Sequence, residues 1–354
     1  MIGKDVIMNL APRQQEIIDI IDAQEQASIS KVKELLSSDI SIPTLNRDIA
    51  KLVEVNCLKK LGAGRSISYT ITSEYKLFAP INASDYFDLD PDMRGANTAF
   101  NHELLQSLKV ISIFTNQELN ALQELKQEYQ SNIASLSPVL YQKELERLTI
   151  ELSWKSSQIE GNTYSLLETE RLFKEKQEAD NKTKEEATML LNHKDAIIYL
   201  MEHKDLAKTL DLRTLEEIHS LLIKDLNVGR NIRSRAVGIT GTAYRPLDNE
   251  FQIRENLELM CDLINAKDNG FEKALLAVAL ISYIQPFEDG NKRTGRMISN
   301  ALLIADDACP LSYRSVDSLD YKKAMLLFYE QNNLAAFKAI FFEQNEFGVK
   351  NYFR

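Results

Sequence analysis

The chain has 354 residues, enough for two or three domains, with 44% apolar residues, 27% charged residues and a formal net charge of −10. That acidity excludes a surface that wraps nucleic acid as a whole and leaves only a local basic patch for such a role. Three widely spaced cysteines, Cys57, Cys261 and Cys309, offer no CxxC pair and no disulfide framework, which fits a reducing, cytoplasmic setting. Met1 to Arg13 carries no apolar run after a basic start, so no secretory signal is expected. No stretch approaches the ~18 consecutive apolar residues of a membrane span.

Helical spacing dominates, and Gly and Pro are sparse. Residues 1–73 read as a separate unit. Pro12–Gln24 is predicted as a helix with Ile17, Ile18, Ile20 and Ile21 on its apolar side. Ser30 is a candidate cap for a short helix to Leu36. Ser41 caps a third helix, in which Pro43 sits in the first turn, where its missing N–H costs nothing. That helix points Leu45, Ile49, Leu52 and Val53 inward and Arg47 and Lys51 outward. A hairpin is expected next, from Leu58–Leu61 through Gly62-Ala63-Gly64 to Ser66–Ile71. Three short helices and a two-stranded wing resemble a winged helix-turn-helix. Either Arg47, Lys51, Lys59, Lys60 and Arg65 reach DNA phosphates and base edges, or the wing only mediates protein contacts or packs on the main domain. An Asp- and Pro-rich connector follows over 74–98. From about 99 to 345 the pattern is helical, with one interruption at 236–250, where a second hairpin is expected.

The chemistry concentrates in Gln285-Pro286-Phe287-Glu288-Asp289-Gly290-Asn291-Lys292-Arg293-Thr294-Gly295-Arg296, between two apolar helices. Asp289-Gly290-Asn291 is strong turn chemistry. The loop delivers the chain to a helix N-terminus, where free backbone N–H groups and the helix dipole favour an anion. Lys292, Arg293 and Arg296 add three cations in the first turns, and Asp289 offers a carboxylate to Mg²⁺. A solvated turn with surface charges is the plainer alternative. It would strand three cations between core helices. A Walker A loop is excluded, because Arg296-Met297 follows Gly295 in place of Lys-Ser or Lys-Thr.

This segment resembles the Fic family motif, His-Pro-Phe-x-Asp/Glu-Gly-Asn-Gly/Lys-Arg-x-x-Arg, at every position but the first, where Gln285 replaces the histidine. The resemblance implies a mainly α fold: an all-α Fic-type helical domain with a small β-hairpin flap, preceded by the winged helix-turn-helix unit. It implies AMP transfer from ATP to a Ser, Thr or Tyr hydroxyl of a protein target. In that scheme Asp289 holds Mg²⁺, Gly290, Asn291 and Lys292 form the anion nest, Arg293 supports the phosphates, and Arg296 reaches the γ-phosphate. Ser156-Ser157-Gln158-Ile159-Glu160-Gly161 resembles the family's inhibitory motif. The implied inhibitory helix lies around 145–161, and Glu160 pairs with Arg296; an ordinary helix terminus is the alternative. Val237–Pro246 resembles the flap, with Ile239, Thr240, Gly241 and Thr242 docking a target strand. Residues 346–354 are left as a C-terminal tail. A homodimer and DNA complete the implied partners.

Gln285 conflicts with that activity. A glutamine orients by hydrogen bonds but takes no proton from a hydroxyl at neutral pH. None of the four histidines, His102, His193, His203 and His219, lies in a motif that replaces it. General-base catalysis is worth ~10²–10⁴-fold, so the transfer is expected to be impaired while nucleotide binding survives. The alternative function is a non-catalytic nucleotide-sensing regulator that binds DNA.

Overall fold

The computed structural model describes residues 10–354, apart from the side chain of Arg65. It divides into two units, one running to Asp88 and including Gln331–Ala336, the other comprising Leu89–Glu330 and Phe337–Arg354. Helix accounts for 62% of the residues and strand for 3%, which settles the all-α class.

In the first unit, helices α1 (Pro12–Ala23), α2 (Ile29–Leu35) and α3 (Ile42–Glu54) precede a hairpin of β1 (Leu58–Leu61) and β2 (Ser68–Ile71). The strands pair antiparallel, Leu58 opposite Ile71. Ser28, not Ser30, caps α2 by accepting from the Lys31 N–H. The reason is one residue upstream: Ala27 exchanges both backbone hydrogen bonds with Tyr69, so the extended segment ends there and the helix starts earlier. Ser41 caps α3 as expected. Ile17, Ile18, Ile21, Val32, Leu45, Ile49 and Leu52 are buried together, while Val53 and Ile20 are only partly so.

The expected connector is not structureless. It contains α4 (Ser73–Phe78) and α5 (Ala83–Phe87), too short for a helical period to show. Tyr75 joins the first unit's core. The segment 331–336 completes α4, with Leu334 N–H donating to Leu77 O and Asn333 Nδ2 to Lys76 O and Ala79 O.

The second unit contains α6 (Leu104–Val110), α7 (Asn116–Ser135), α8 (Pro138–Ile159), α9 (Leu166–Glu175), α10 (Lys184–Glu202), α11 (Leu212–Leu222), α12 (Glu250–Asn265), α13 (Gly270–Ile284), α14 (Asn291–Ala305), α15 (Ser318–Gln331) and α16 (Ala335–Asn351). Its centre is α13 packed on α14. Both are buried along almost their whole length; in α13 amphipathic periodicity gives way to a continuous apolar run, whereas α14 buries polar residues as well, among them Asn291, Arg293, Arg296 and Asn300. Gly295 permits the approach: a Cβ there would stand 3.2 Å from Val278 O and 3.3 Å from Val278 Cα. The expected C-terminal tail is instead structural. Helix α16 runs to Asn351, and Tyr352 and Phe353 are fully buried with Tyr129, Leu148 and Val349.

A second hairpin at 237–246 is not formed. The segment is extended, turns at Thr240-Gly241 and has no strand pairing of its own. Its anchor is elsewhere: Arg245 bridges Ala99, with Arg245 N–H donating to Thr98 O at 3.0 Å.

Candidate functional site

Helix α13 ends at Gln285, whose φ of 52° is left-handed, a conformation that a non-glycine residue holds only when its surroundings impose it. Those surroundings are visible. Arg233 Nε donates to Gln285 O at 2.6 Å, and Arg233 N–H donates to Pro286 O at 2.9 Å. The Arg233 guanidinium is buried and is satisfied by backbone carbonyls alone, those of Gln285, Arg235, Leu247 and Ile284. These acceptors include the C-terminal end of α13, where the helix dipole favours a cation.

The loop then closes on itself. Asn291 Oδ1 accepts from Phe287 N–H at 2.8 Å, and Asn291 Nδ2 donates to Phe287 O at 2.8 Å and to Gln285 Oε1 at 2.9 Å. Gln285 Nε2 donates to Ser282 O at 2.6 Å. Both ends of the Gln285 amide are therefore engaged. Gly290 (φ 81°) caps α14; a Cβ there would stand 3.4 Å from both His219 Cε1 and Ile223 Cγ2. The backbone N–H groups of the first turn of α14 have no intrahelical acceptor.

The cations are arranged in depth. Asp289 pairs with Arg293 at 2.7 Å while its own side chain is 65% exposed. Arg293 is buried, its Nη1 has no hydrogen-bond partner among the described residues, and burial lowers its pKa. Arg296 is 0% exposed. Its Nη2 donates to Glu160 Oε1 at 2.9 Å and to Ser156 O at 2.9 Å, its Nε donates to Ser156 Oγ at 2.9 Å, and its Cζ lies 5.4 Å from the Tyr321 ring centre. Lys292 Nζ is 3.6 Å from Glu160 Oε2. Burial pushes the Glu160 carboxyl up, but Arg296 and Lys292 more than offset this and hold it below the usual carboxylate range.

Glu160 reaches this position because α8 stops there. Glu160 is its C-cap, and Gly161 takes φ 98°, the left-handed exit that glycine permits without Cβ strain. The helix starts at Pro138, ahead of the expected 145, because Ser137 caps it. Gly161 and Ser165, the latter in a capping box with Glu168, turn the chain away from the site.

Glu160 and the loop residues Gln285 and Asp289–Lys292 line one cavity of about 540 Å³, while the buried Arg293 and Arg296 are not among its walls; the volume is within the ~300–1,000 Å³ of small-ligand sites. Its walls include Glu160, Gly161, Val237–Thr240, Gln285, Glu288–Lys292 and, from α15, Tyr321, Met325 and Tyr329. Of the expected flap residues, Ile239 and Thr240 line it, whereas Gly241 and Thr242 do not. Arg47, Lys51, Lys59 and Lys60 belong to the first unit, exposed on α3 and β1; the Arg65 side chain lies outside the described residues.

Three positions escape the sequence reading. His219 lies flat on Phe287 (3.6 Å between ring centres, 4° between planes) and contacts Thr294 Oγ1 and Gly229 O. His193 is buried against Ser156. Arg233 holds Gln285 from 52 residues away in the chain. His219 follows Leu215 and Ile218 on the apolar face of α11, a pattern that signals burial but not what it is buried against.

Residues 209–303 match the Fic/DOC family. The chain carries a Fic domain. It is similar to the protein adenylyltransferase Fic of Nematostella vectensis, with 27% identity over 175 residues, which are 48% of this chain and 40% of that protein. It thus spans less than half the length of the curated relative it matches. Among solved structures, Fic-1 from C. elegans gives a TM-score of 0.60 at 16% identity, covering 99% of this chain and 94% of the other. A Fic family protein from Desulfovibrio desulfuricans G20 gives 0.54 at 19% identity, covering 68% and 74%. At such identities the likeness is one of fold. Among the described residues no helix is long and apolar enough to cross a membrane.

Proposed function

We propose that this Fic domain binds Mg-ATP and is built for AMP transfer to a protein Ser, Thr or Tyr hydroxyl, latched by Glu160 and impaired at Gln285. The observation that carries the reading is Arg296: a fully buried guanidinium whose one carboxylate partner among the described residues is Glu160, and Glu160 lines a cavity floored by a helix N-terminus. In this reading the N–H groups at Gly290–Lys292 receive the α- and β-phosphates. The buried Arg293 Nη1 is a donor awaiting an acceptor, and Arg296 takes the γ-phosphate once Glu160 leaves.

The metal fits on its donor chemistry. Asp289 is an exposed carboxylate with one oxygen on Arg293, and Mg²⁺ commonly binds one or two carboxylates plus substrate phosphates. When bound it would neutralise charge on the bridging phosphates. The reaction forms a bond from the target oxygen to Pα and breaks the Pα–O bond to the leaving pyrophosphate, so the hydroxyl must lose a proton. Gln285 cannot accept it, and its amide is already held by Ser282 O and Asn291.

The test is label transfer from α-labelled ATP with Mg²⁺, to the protein and to a lysate, in a Glu160→Gly background. Gln285→His is expected to raise transfer by about 10²–10⁴-fold. No labelling by the histidine variant would overturn the reading.

The engaged Gln285 amide also supports a second reading, a nucleotide sensor without transfer. Its output would be the first unit, read as a winged helix, where Arg47, Lys51, Lys59 and Lys60 are exposed and form no ion pair among the described residues. This reading expects duplex DNA binding that weakens steeply with salt and shifts with ATP. Affinity indifferent to salt ends it.

A further inference from the structure

Arg296 makes one hydrogen bond to Glu160 but two to Ser156, from Nε to Oγ and from Nη2 to the carbonyl oxygen. The guanidinium has no acceptor, so Ser156 Oγ is the acceptor from Nε. Met189 O, 2.9 Å from His193 Nδ1, can only accept, so Nδ1 carries the proton, with Ser157 Oγ at 3.5 Å. In the neutral ring Nε2 is then the acceptor, and it takes the Ser156 hydroxyl proton at 3.0 Å. The directions are fixed by a carbonyl that can only accept at one end and a guanidinium that can only donate at the other.

His193 and Ser156 are both 0% exposed. They lie on α10 and α8, so the relay joins two helices to the guanidinium of a third. Burial and the facing cations Arg293 and Arg296 hold the imidazole neutral against the nearby Glu160, which is the state the relay requires.

We infer that His193 is a positioning residue: through Ser156 it holds Arg296 in place beside the cavity-lining Glu160, whether or not Glu160 keeps its own contact. Glu160 can leave without releasing Arg296, because the two Ser156 bonds do not pass through it. Opening the latch therefore costs the two Glu160 ion pairs, with Arg296 and Lys292, and leaves a pre-oriented guanidinium, which favours a ligand by reducing the ordering penalty. The inference rests on the reading that Arg296 meets the terminal phosphate of ATP.

The experiment measures Mg-ATP and Mg-ADP affinities by calorimetry in the full chain carrying Glu160→Gly. Tighter binding of ATP than of ADP validates the parent reading; equal binding refutes that reading before His193 is touched. Given discrimination, His193→Ala and Ser156→Ala are each expected to cut the ATP/ADP affinity ratio about tenfold, as for loss of a hydrogen bond to a charged group. ADP affinity should stay nearly unchanged. The double variant should be no worse than either single one. His193→Gln can still accept from Ser156 and should retain the ratio. A merely structural role would weaken both nucleotides together or lower the melting temperature with the ratio intact, and that overturns the inference. So does additivity of the two substitutions. If His193→Ala does not fold, Ser156→Ala and His193→Gln decide by the same ratio.

Discussion

The loop Gln285–Asn291 and the flap around Ile239 line the same cavity, yet they are held in opposite ways. The loop is cross-braced by side chains: Asn291 reaches back to Phe287 and Gln285, Arg233 grips Gln285 O, and His219 backs Phe287. The flap is held at its turn and at its far end. Arg245 meets Thr98, Arg94 donates to Gly241 O at 3.0 Å, and among the described residues Val237–Thr240 make no backbone–backbone hydrogen bond. On the proposed reading, a loop that binds a polyphosphate in one geometry needs the first kind of support. On that same reading, a segment that offers its backbone to an incoming strand needs the second. The contrast predicts that disturbances of the loop register as stability, and disturbances of the flap do not.

Acid should give the largest effect, through His219 behind the loop and His193 behind Ser156. Burial, the first cause in each case, pushes His193 down to about 3 and His219 down to about 4. The unfolded chain binds protons below about 6.5, whereas the native state refuses them until far lower. Stability is therefore full above about pH 6.5 and falls on acidification towards pH 4, by about 1.4 kcal/mol per pH unit for each histidine. Denaturant unfolding measured from pH 7 to 4 checks the slope. A flat profile would mean that the two rings are not held neutral.

Asn291→Ala comes next. Asn291 is buried and its amide satisfies Phe287 N–H, Phe287 O and Gln285 Oε1. Removing it leaves those buried groups unpaired, which should cost about 2–3 kcal/mol in denaturant unfolding. A loss within ~0.5 kcal/mol would break the comparison, since exposed loops tolerate changes at that level.

The same contrast explains what was legible in the sequence. The loop could be read because its bracing is local: Asp289-Gly290-Asn291 is turn chemistry, and Gln285, Phe287 and Asn291 are bonded within six residues. Helix ends were readable where the cap is a side chain next to a clear turn signal, as at Ser41 and at Ser165 with its Glu168 box. Ser28 was missed because its helix is placed by the Ala27–Tyr69 pairing, a contact across 42 residues. The 237–246 hairpin was wrongly expected because Gly238 and Gly241 signal turns but not a partner, and the partner is Ala99. Arg233, His193 and His219 escaped for one reason: each acts on a residue far away in sequence. The Glu160–Arg296 ion pair spans 136 residues, and it was legible only through the family resemblance.

Thr240→Pro should produce the smallest change in stability and so tests the flap half of the comparison. Gly241 has φ 86° and Thr240 is not among the residues of positive φ. That pattern matches the two central positions of a type II turn, which favours proline first and glycine second. The Thr240 N–H has no backbone acceptor among the described residues, so proline removes no bond. Unfolding free energy should shift by no more than about 0.5 kcal/mol, and Mg-ATP affinity should hold. In the Gln285→His, Glu160→Gly background, labelling of protein targets should fall, because strand addition loses a donor at Thr240. Unchanged labelling would show that the target is held by something other than this stretch of backbone. A loss of stability would show that the flap is braced after all, by contacts its extended trace conceals.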